Sequence, residues 1–245
     1  MTSGTQQLAG QFRSGTTSSV RLSWTWDKRN NRLFPTQGWL SFASVETAPF
    51  FLNALPTAQQ YNFNRYTAYQ RVYFPLPFGS VFKMNAQVGY LQEHYPQEKG
   101  RQLPISEMYY MGGINTIRGY PLRQVAPSQQ VLSVSSADSV STSLKVGGDK
   151  QFIFNAELEV PIIEKVGIRG VVFFDCGNAF DRNIMFFQND PNSYKATPLG
   201  LLYSVGFGIR WFSPIGPLRF EWGIPLTRRP GDQPIQFEFN IGNSF

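Results

Sequence analysis

The chain has 245 residues, of which 42% are hydrophobic and 16% aromatic, and its formal net charge is +6. No run of eighteen apolar residues occurs, so the sequence predicts no transmembrane helix. The single cysteine, Cys176, excludes an internal disulfide. Lys and Arg are scattered along the chain, which argues against a nucleic-acid partner. The many aromatic residues favour a transmembrane β-barrel, and a soluble sandwich or lipocalin-like barrel is the competing interpretation.

Nine segments alternate apolar and polar residues with the period of two that is typical of β-strands. Several are close to the length that a tilted strand needs to cross a bilayer. In chain order the segments are 20–27, 39–47, 64–74, 82–90, 151–160, 168–175, 201–211, 218–224 and 236–241.

The connections between these segments differ in length according to the end of the barrel at which they lie. Residues 75–79, 161–165 and 213–217 form short breaks, residues 28–37 and 227–234 form medium ones, and residues 48–61, 93–150 and 176–200 form long ones. Short turns at one end and long loops at the other are characteristic of outer-membrane barrels. With the short turns in the periplasm, the C-terminus lies there too and the loop 93–150 begins outside.

The polar faces of the segments decide between a membrane barrel and a soluble one. A soluble barrel of this size would have to pack five tryptophans and twenty-two phenylalanines inside, which overfills its interior. We therefore predict an all-β fold, an antiparallel transmembrane β-barrel with charged residues in its lumen. The charged residues predicted to face the lumen are Arg65, Arg71, Lys83, Glu157, Glu159, Arg169, Asp175, Arg210, Arg219, Glu221 and Glu238.

Nine strands are an odd number, whereas bacterial single-chain barrels normally have an even number. An open strand edge in lipid leaves backbone groups without hydrogen bonds. Residues 1–17 also lack the basic and apolar regions of a signal peptide. We therefore expect residues 18–245 to be the C-terminal strands of a larger barrel, with residues 1–17 as a loop or the remnant of a preceding strand.

The loop 93–150 has no strand pattern and contains a glycine-rich stretch with one arginine. In this stretch Ile117-Arg118-Gly119-Tyr120, preceded by Gly112-Gly113, resembles the conserved-loop motif of the BamA family of outer-membrane assembly proteins. Three later stretches resemble the same family in order and spacing, so the resemblance covers residues 18–245. They are Phe173-Phe-Asp-Cys-Gly-Asn178, the turn at 211–218 and the terminal strand at 236–245.

The resemblance implies a specific contact for Arg118. In that family the loop folds back into the lumen, and its arginine meets acidic residues on the next two strands. The matching residues here are Glu159 and Asp175, and their positions in the alternating pattern independently predict that both face the lumen. We therefore predict charge-assisted hydrogen bonds from Arg118 to Glu159 and Asp175. The competing interpretation is an ordinary surface loop with a solvated arginine.

The terminal strand resembles the β-signal by which outer-membrane proteins are recognised for assembly. Phe237, Phe239 and Ile241 alternate with polar residues, and the chain ends on Phe245. Such an extended segment can pair with another strand along its edge. Gly242 is hypothesised to let the end bend away and open a lateral seam.

The sequence offers little for catalysis or for cofactor binding. Its only histidine is His94, no activated-serine motif lies nearby, and one histidine and one distant cysteine do not make a metal site. The glycines around Arg118 also lack the lysine and the helix of a phosphate-binding loop. We predict no enzymatic activity, no cofactor and no metal.

The family resemblance implies a function in the bacterial outer membrane, namely the insertion and folding of outer-membrane proteins. The implied partners are these client proteins, outer-membrane lipid, and periplasmic accessory lipoproteins that would bind through POTRA domains absent from this chain. Two alternatives remain open from the sequence. One is a secretion pore of the same superfamily that exports a protein partner, and the other is a passive porin or an outer-membrane enzyme.

Overall fold

The computed structural model describes residues 17–49, 61–94, 103–134, 139–190, 196–214 and 216–242, without the side chains of 130–142. A nine-stranded antiparallel sheet dominates it, with the order β1-β2-β3-β4-β7-β8-β9-β10-β11, so the prediction of nine strands is confirmed. Its strands are β1 (Val20–Asp27), β2 (Gly38–Ala48), β3 (Phe63–Pro75), β4 (Val81–Glu93), β7 (Lys150–Ile163), β8 (Ile168–Phe180), β9 (Leu202–Ser213), β10 (Gly216–Pro225) and β11 (Gln236–Ile241).

A separate hairpin of β5 (Ser128–Val134) and β6 (Ser139–Lys145) lies within the long loop after β4. The prediction that this whole region lacks strands is therefore wrong. The hairpin sequence is dominated by Ser, Thr and Gln, so few apolar residues distinguish its two faces. Its two strands pair with each other through their backbones and form a sheet of their own.

Strand β8 is longer than its sequence pattern predicts. It continues from Asp175 to Phe180, because its last residues pair with the first residues of β7, with Phe180 opposite Lys150. The following loop therefore begins at residue 181 rather than at 176. Among the described residues, no helix is long and apolar enough to cross a membrane.

The sheet curls so that its two faces have different surroundings. The rings of Phe34, in the β1–β2 turn, and Phe212, near the end of β9, lie 4.2 Å apart, although their strands are distant in the sheet. Side chains on the concave face are buried, as Glu157 and Glu221 show, while aromatic side chains on the convex face are exposed, as Phe207 shows. This is the charged lumen and apolar exterior that the alternation predicts.

The loop after β4 folds into the interior of the sheet, as predicted. Met111, Ile117 and Tyr120 from this loop are fully buried and pack against Ile153 of β7 and Ala179 of β8. Burial of these apolar side chains stabilises the loop at this position by removing them from water. The loop thereby brings the glycine-rich stretch to the inner wall of the sheet.

Candidate functional site

The glycine-rich stretch folds into a compact turn that closes on itself. The Gly113 amide donates a hydrogen bond to the Tyr120 carbonyl at 2.8 Å. The Gly112 amide donates to the Thr116 hydroxyl at 2.8 Å, and that hydroxyl donates to the Gly112 carbonyl at 3.0 Å. Gly112 and Gly113 have φ angles of 105° and 89°, a backbone region that residues with a Cβ rarely adopt. This turn fixes the position from which Arg118 extends.

Arg118 binds carboxylates from three strands. Its Nε and Nη2 atoms donate to the two oxygens of Asp175 on β8, at 2.7 and 2.6 Å, and its own amide donates to Asp175 at 3.1 Å. Its Nη1 atom donates to Glu157 on β7 and, at 3.1 Å, to Glu221 on β10. The guanidinium also lies over the Phe173 ring, 3.6 Å from its centre. Only 1% of Arg118 is exposed, so these contacts take the place of the hydrogen bonds that a solvated guanidinium makes with water.

The predicted contact between Arg118 and Glu159 is wrong, whereas the one with Asp175 is present. Glu157, two residues earlier on the same face of β7, takes the place predicted for Glu159. Residues two apart in a strand share a face and lie roughly 6.5 Å apart along it, and the loop docks at the level of Glu157. Glu159 instead pairs with Lys83, Arg169 and Arg210.

The carboxylates that hold Arg118 belong to a larger buried network. Arg210 on β9 bridges Glu157 and Glu221 at 2.8 Å each, and Arg219 on β10 pairs with Glu221 at 2.9 Å. Arg219 also donates to the loop itself, at the Ile114 carbonyl, 3.3 Å away. Each charge has opposite charges as neighbours, which offsets the cost of removing them from water. The network joins the loop to the wall formed by β7, β8, β9 and β10.

The motif glycine Gly119 permits a direct approach of the loop backbone to the wall. A Cβ on Gly223 of β10 would lie 2.3 Å from the Gly119 nitrogen and 2.6 Å from its Cα. Gly119 itself has a φ of 87°, and its Cβ would lie 2.9 Å from the Gly223 carbonyl carbon. Two glycines are therefore required for this contact, one in the motif and one on the strand.

Tyr120 attaches the motif to the loops at the same end of the sheet. Its hydroxyl lies 2.9 Å from the Tyr203 carbonyl and 3.1 Å from the Thr227 carbonyl. Burial raises the pKa of Tyr120 to about 12, so its hydroxyl remains a donor at neutral pH. Arg229 lies over the Tyr120 ring at 5.2 Å and pairs with Asp232. The β10–β11 loop therefore covers the docked motif.

The terminal strand β11 forms one end of the described sheet. Phe237, Phe239 and Ile241 are exposed on its outer face, and Phe245 lies outside the described residues. Gly242 follows the strand with a φ of 127°, and its amide donates to the Pro217 carbonyl at 2.8 Å. The role of these residues in a lateral seam remains a proposal.

Sequence reasoning missed several residues of the site. Glu157 and Glu221 were assigned to the lumen but not to Arg118, because alternation gives the face of a residue and not its neighbours. Phe173 and Gly223 carry no motif that would mark them. Gly223 could have been found only from its position within a strand, because a glycine there often marks the close approach of another backbone.

Matched substitutions at Glu157 and Glu159 test the corrected contact. Both changes to glutamine remove one buried carboxylate charge from β7, but only Glu157 touches the loop. We expect Glu157→Gln to accelerate protease cleavage within the loop 94–149 much more than Glu159→Gln. Equal acceleration by the two variants would show that the loop is not held at Glu157.

The alternating faces, the charged interior and the docked loop define an outer-membrane β-barrel with a plugged lumen. Comparison with known proteins agrees with this class. The profile of the Omp85 superfamily domain matches residues 4–245, and the chain therefore belongs to the Omp85 superfamily.

Similar proteins include two bacterial assembly factors and one animal protein. The outer membrane protein assembly factor BamA of Neisseria meningitidis is 27% identical in an alignment 241 positions long that covers 91% of this chain and 28% of that protein. BamA of Nitratidesulfovibrio vulgaris is 35% identical over 145 residues, covering 58% of this chain and 16% of that protein. A SAM50-like protein of Drosophila melanogaster is 24% identical, and the alignment covers 93% of this chain and 45% of that protein. The chain thus spans less than half the length of these relatives.

A solved structure supports the fold independently. The crystal structure of BamA from Haemophilus ducreyi lacking POTRA domains 1–3 matches 99% of this chain with a TM-score of 0.71. The match covers 47% of that chain at 20% identity. At 20% identity this similarity supports a shared barrel fold and nothing further.

Proposed function

We propose that this chain is the C-terminal part of a barrel that inserts and folds outer-membrane proteins. The names of the two bacterial relatives, both assembly factors, support this proposal, as does the superfamily to which the chain belongs. The chain covers a minor part of those relatives, so the function of the whole protein is a proposal. The mechanism that we propose involves strand pairing and no chemical catalysis.

The observation that carries the proposal is the position of β11 at the end of the described sheet. Its inner edge pairs with β10 over six residues, and its outer edge has no partner strand among the described residues. An unpaired edge presents backbone donors and acceptors to which an extended segment of another chain can add. The exposed Phe237 and Phe239 would contact the apolar face of such a segment and set its register.

Two features weaken the attachment of β11 to the rest of the sheet. Glu238 lies directly opposite Glu221, and among the described residues its buried Oε2 atom has no hydrogen-bond partner, which costs stability. The strand Gln236–Ile241 is also shorter than the roughly 9–11 residues that cross a bilayer, so the membrane beside it would be locally thin. A weak strand next to a thin membrane favours exchange with a client strand. The Arg118 network would keep the adjacent wall, including β10, rigid during that exchange.

The partners that follow from this proposal are outer-membrane protein clients and outer-membrane lipid. Accessory lipoproteins in the periplasm are a further proposal, and they would bind POTRA domains of the full-length protein. The docked loop argues against a passive porin, because Met111, Ile117 and Tyr120 occupy the lumen and are fully buried there.

Depletion of the full-length protein tests the proposed function. We expect many outer-membrane proteins to disappear together, as measured by quantitative mass spectrometry of isolated membranes. Loss of a single secreted protein would indicate a secretion pore instead. Ion conductance without any assembly defect would indicate a porin.

Rescue of the depleted cells tests the role of β11. Phe239→Ser on β11 and Phe207→Ser on β9 each remove one outward aromatic ring that contacts a ring on β10. We expect Phe207→Ser to restore assembly and Phe239→Ser to fail, because Phe239 lies on the strand at the end of the described sheet and Phe207 does not. Equal rescue at equal protein levels would contradict strand exchange at β11.

A further inference from the structure

The loop after β8 lies against the outer wall of the barrel rather than extending from its rim. Cys176 and Phe180 share the lipid-facing side of β8, since they alternate with the lumenal residues Asp175 and Ala179. Yet only 7% of Cys176 and 2% of Phe180 are exposed. Both are buried together with Leu201 in an apolar cluster outside the lumen, and loop residues Ile184 and Phe186 pack against this cluster.

Aromatic contacts show how far the loop follows the wall. The rings of Phe180 and Phe186 lie 5.7 Å apart, and Phe187 lies 5.1 Å from Phe152 of β7. Phe152 alternates with the lumenal Ile153 and therefore belongs to the outer face. The loop thus covers part of the surface that lipid would otherwise cover.

The loop satisfies many of its own backbone hydrogen bonds, as a segment beside lipid must. Asn189 and Thr197 join its two arms. The side-chain amide of Asn189 donates to the Thr197 carbonyl at 2.9 Å, and the Thr197 backbone amide donates to the Asn189 side-chain oxygen at 2.8 Å. The Ile184 amide donates to the Asp181 carbonyl at 3.0 Å. The Asn178 side chain donates to the Gly200 carbonyl at 2.7 Å and fastens the loop to β8.

The outward surface of the loop carries three large apolar side chains among the exposed polar residues Arg182, Asn183, Gln188 and Asn189. Met185 is 71% exposed, Leu199 is 61% exposed and Phe187 is 43% exposed. Phe187 and Leu199 have φ angles of 64° and 54°, a left-handed conformation that is uncommon for bulky residues. The backbone holds this unfavourable conformation at two of the three positions that expose large apolar side chains.

We propose that the loop after β8 is a membrane anchor, whose residues Met185, Phe187 and Leu199 insert into the acyl region of the outer leaflet. The patch is continuous with the lipid-facing side of β7 and β8, and this continuity identifies its occupant as lipid. The anchor fixes β8, which carries Asp175, relative to the bilayer. Strands β9 and β10 separate β8 from the terminal strand β11.

Spin-label accessibility in vesicles of phosphatidylethanolamine and phosphatidylglycerol tests the anchor. Met185→Cys and Leu199→Cys, each in a Cys176→Ala background, place a label on the patch. Gln233→Cys on the β10–β11 loop, an exposed residue at the same end of the barrel, is the matched control. We expect the ratio of accessibility to oxygen over a water-soluble nickel chelate to be several-fold higher at 185 and 199 than at 233. Ratios at 185 and 199 equal to that at 233 would overturn the anchor.

The unsubstituted protein provides a second measurement that requires no variant to fold. We expect an oxidant confined to water to convert Met185 to its sulfoxide several-fold more slowly in these vesicles than in the urea-unfolded chain. Mass spectrometry of the peptide containing Met185 measures the rate. A rate in vesicles equal to that of the unfolded chain would show that water, not lipid, covers this patch.

Discussion

Replacement of Arg118 by alanine is expected to release the motif loop from the lumen wall. The substitution leaves Asp175, Glu157 and Glu221 close together and buried, with one fewer positive charge among them. Removing one partner of a buried ion pair typically costs about 3–5 kcal/mol, chiefly because the remaining charges keep their desolvation cost. The loss acts against the burial of Met111, Ile117 and Tyr120 and should increase the exposure of the loop.

Two measurements check this result. Protease cleavage within the loop should become fast, and the temperature at which the barrel unfolds in gels should fall. Arg21→Ala is the control, because Arg21 also pairs with a glutamate but its side chain is 56% exposed, so its loss should cost under about 1 kcal/mol. An Arg118→Ala protein as resistant to protease as the Arg21→Ala protein would refute the proposed attachment.

Replacement of Gly223 by alanine is expected to release the same loop without altering any charge. The new Cβ would overlap the backbone of Gly119, at 2.3 Å from its nitrogen, and backbone atoms cannot turn aside as a flexible side chain can. The cost should therefore exceed the ~1–3 kcal/mol that is usual for an overpacked core. Gly223 is not among the glycines with a positive φ, so its backbone suits alanine and the barrel itself should remain folded while the loop moves away.

Gly170→Ala on β8 is the matched control for this substitution. A Cβ at position 170 would meet only the end of the Ile162 side chain, at 3.0 Å, and that side chain can rotate. We expect rapid loop cleavage in Gly223→Ala and near-normal resistance in Gly170→Ala, at equal yields of folded barrel. If Gly223→Ala retained a protected loop, the close backbone approach would be incorrect.

The strands of this protein follow from its sequence more readily than its loops do. A strand with one face in lipid and one in a charged lumen must alternate apolar and polar residues. The apolar Phe220 is therefore assigned to the outer face and the charged Glu221 to the lumen. Few apolar residues distinguish the two faces of the β5–β6 hairpin, and sequence periodicity therefore missed it. The last residues of β8 were also missed, because Cys176 and Gly177 interrupt the contrast between the two faces.

For the site, the sequence predicts which face of its strand each residue occupies, but not which residues contact each other. Alternation placed Glu157, Glu159 and Asp175 in the lumen, and the motif identified Arg118. The depth at which the loop docks decides between Glu157 and Glu159, and that depth depends on the contact between Gly119 and Gly223. Such a contact joins residues about a hundred positions apart, and no local pattern encodes it.

Hydrogen exchange at the Arg118 amide measures the docked state of the loop most directly. This amide donates to Asp175 at 3.1 Å inside the buried network, and the Gly113 amide donates to Tyr120 in the same turn. In the native protein we expect the peptide containing Arg118 to exchange as slowly as the peptides of β8. Exchange as fast as that of an exposed loop would show that Arg118 does not join the motif to the lumen wall.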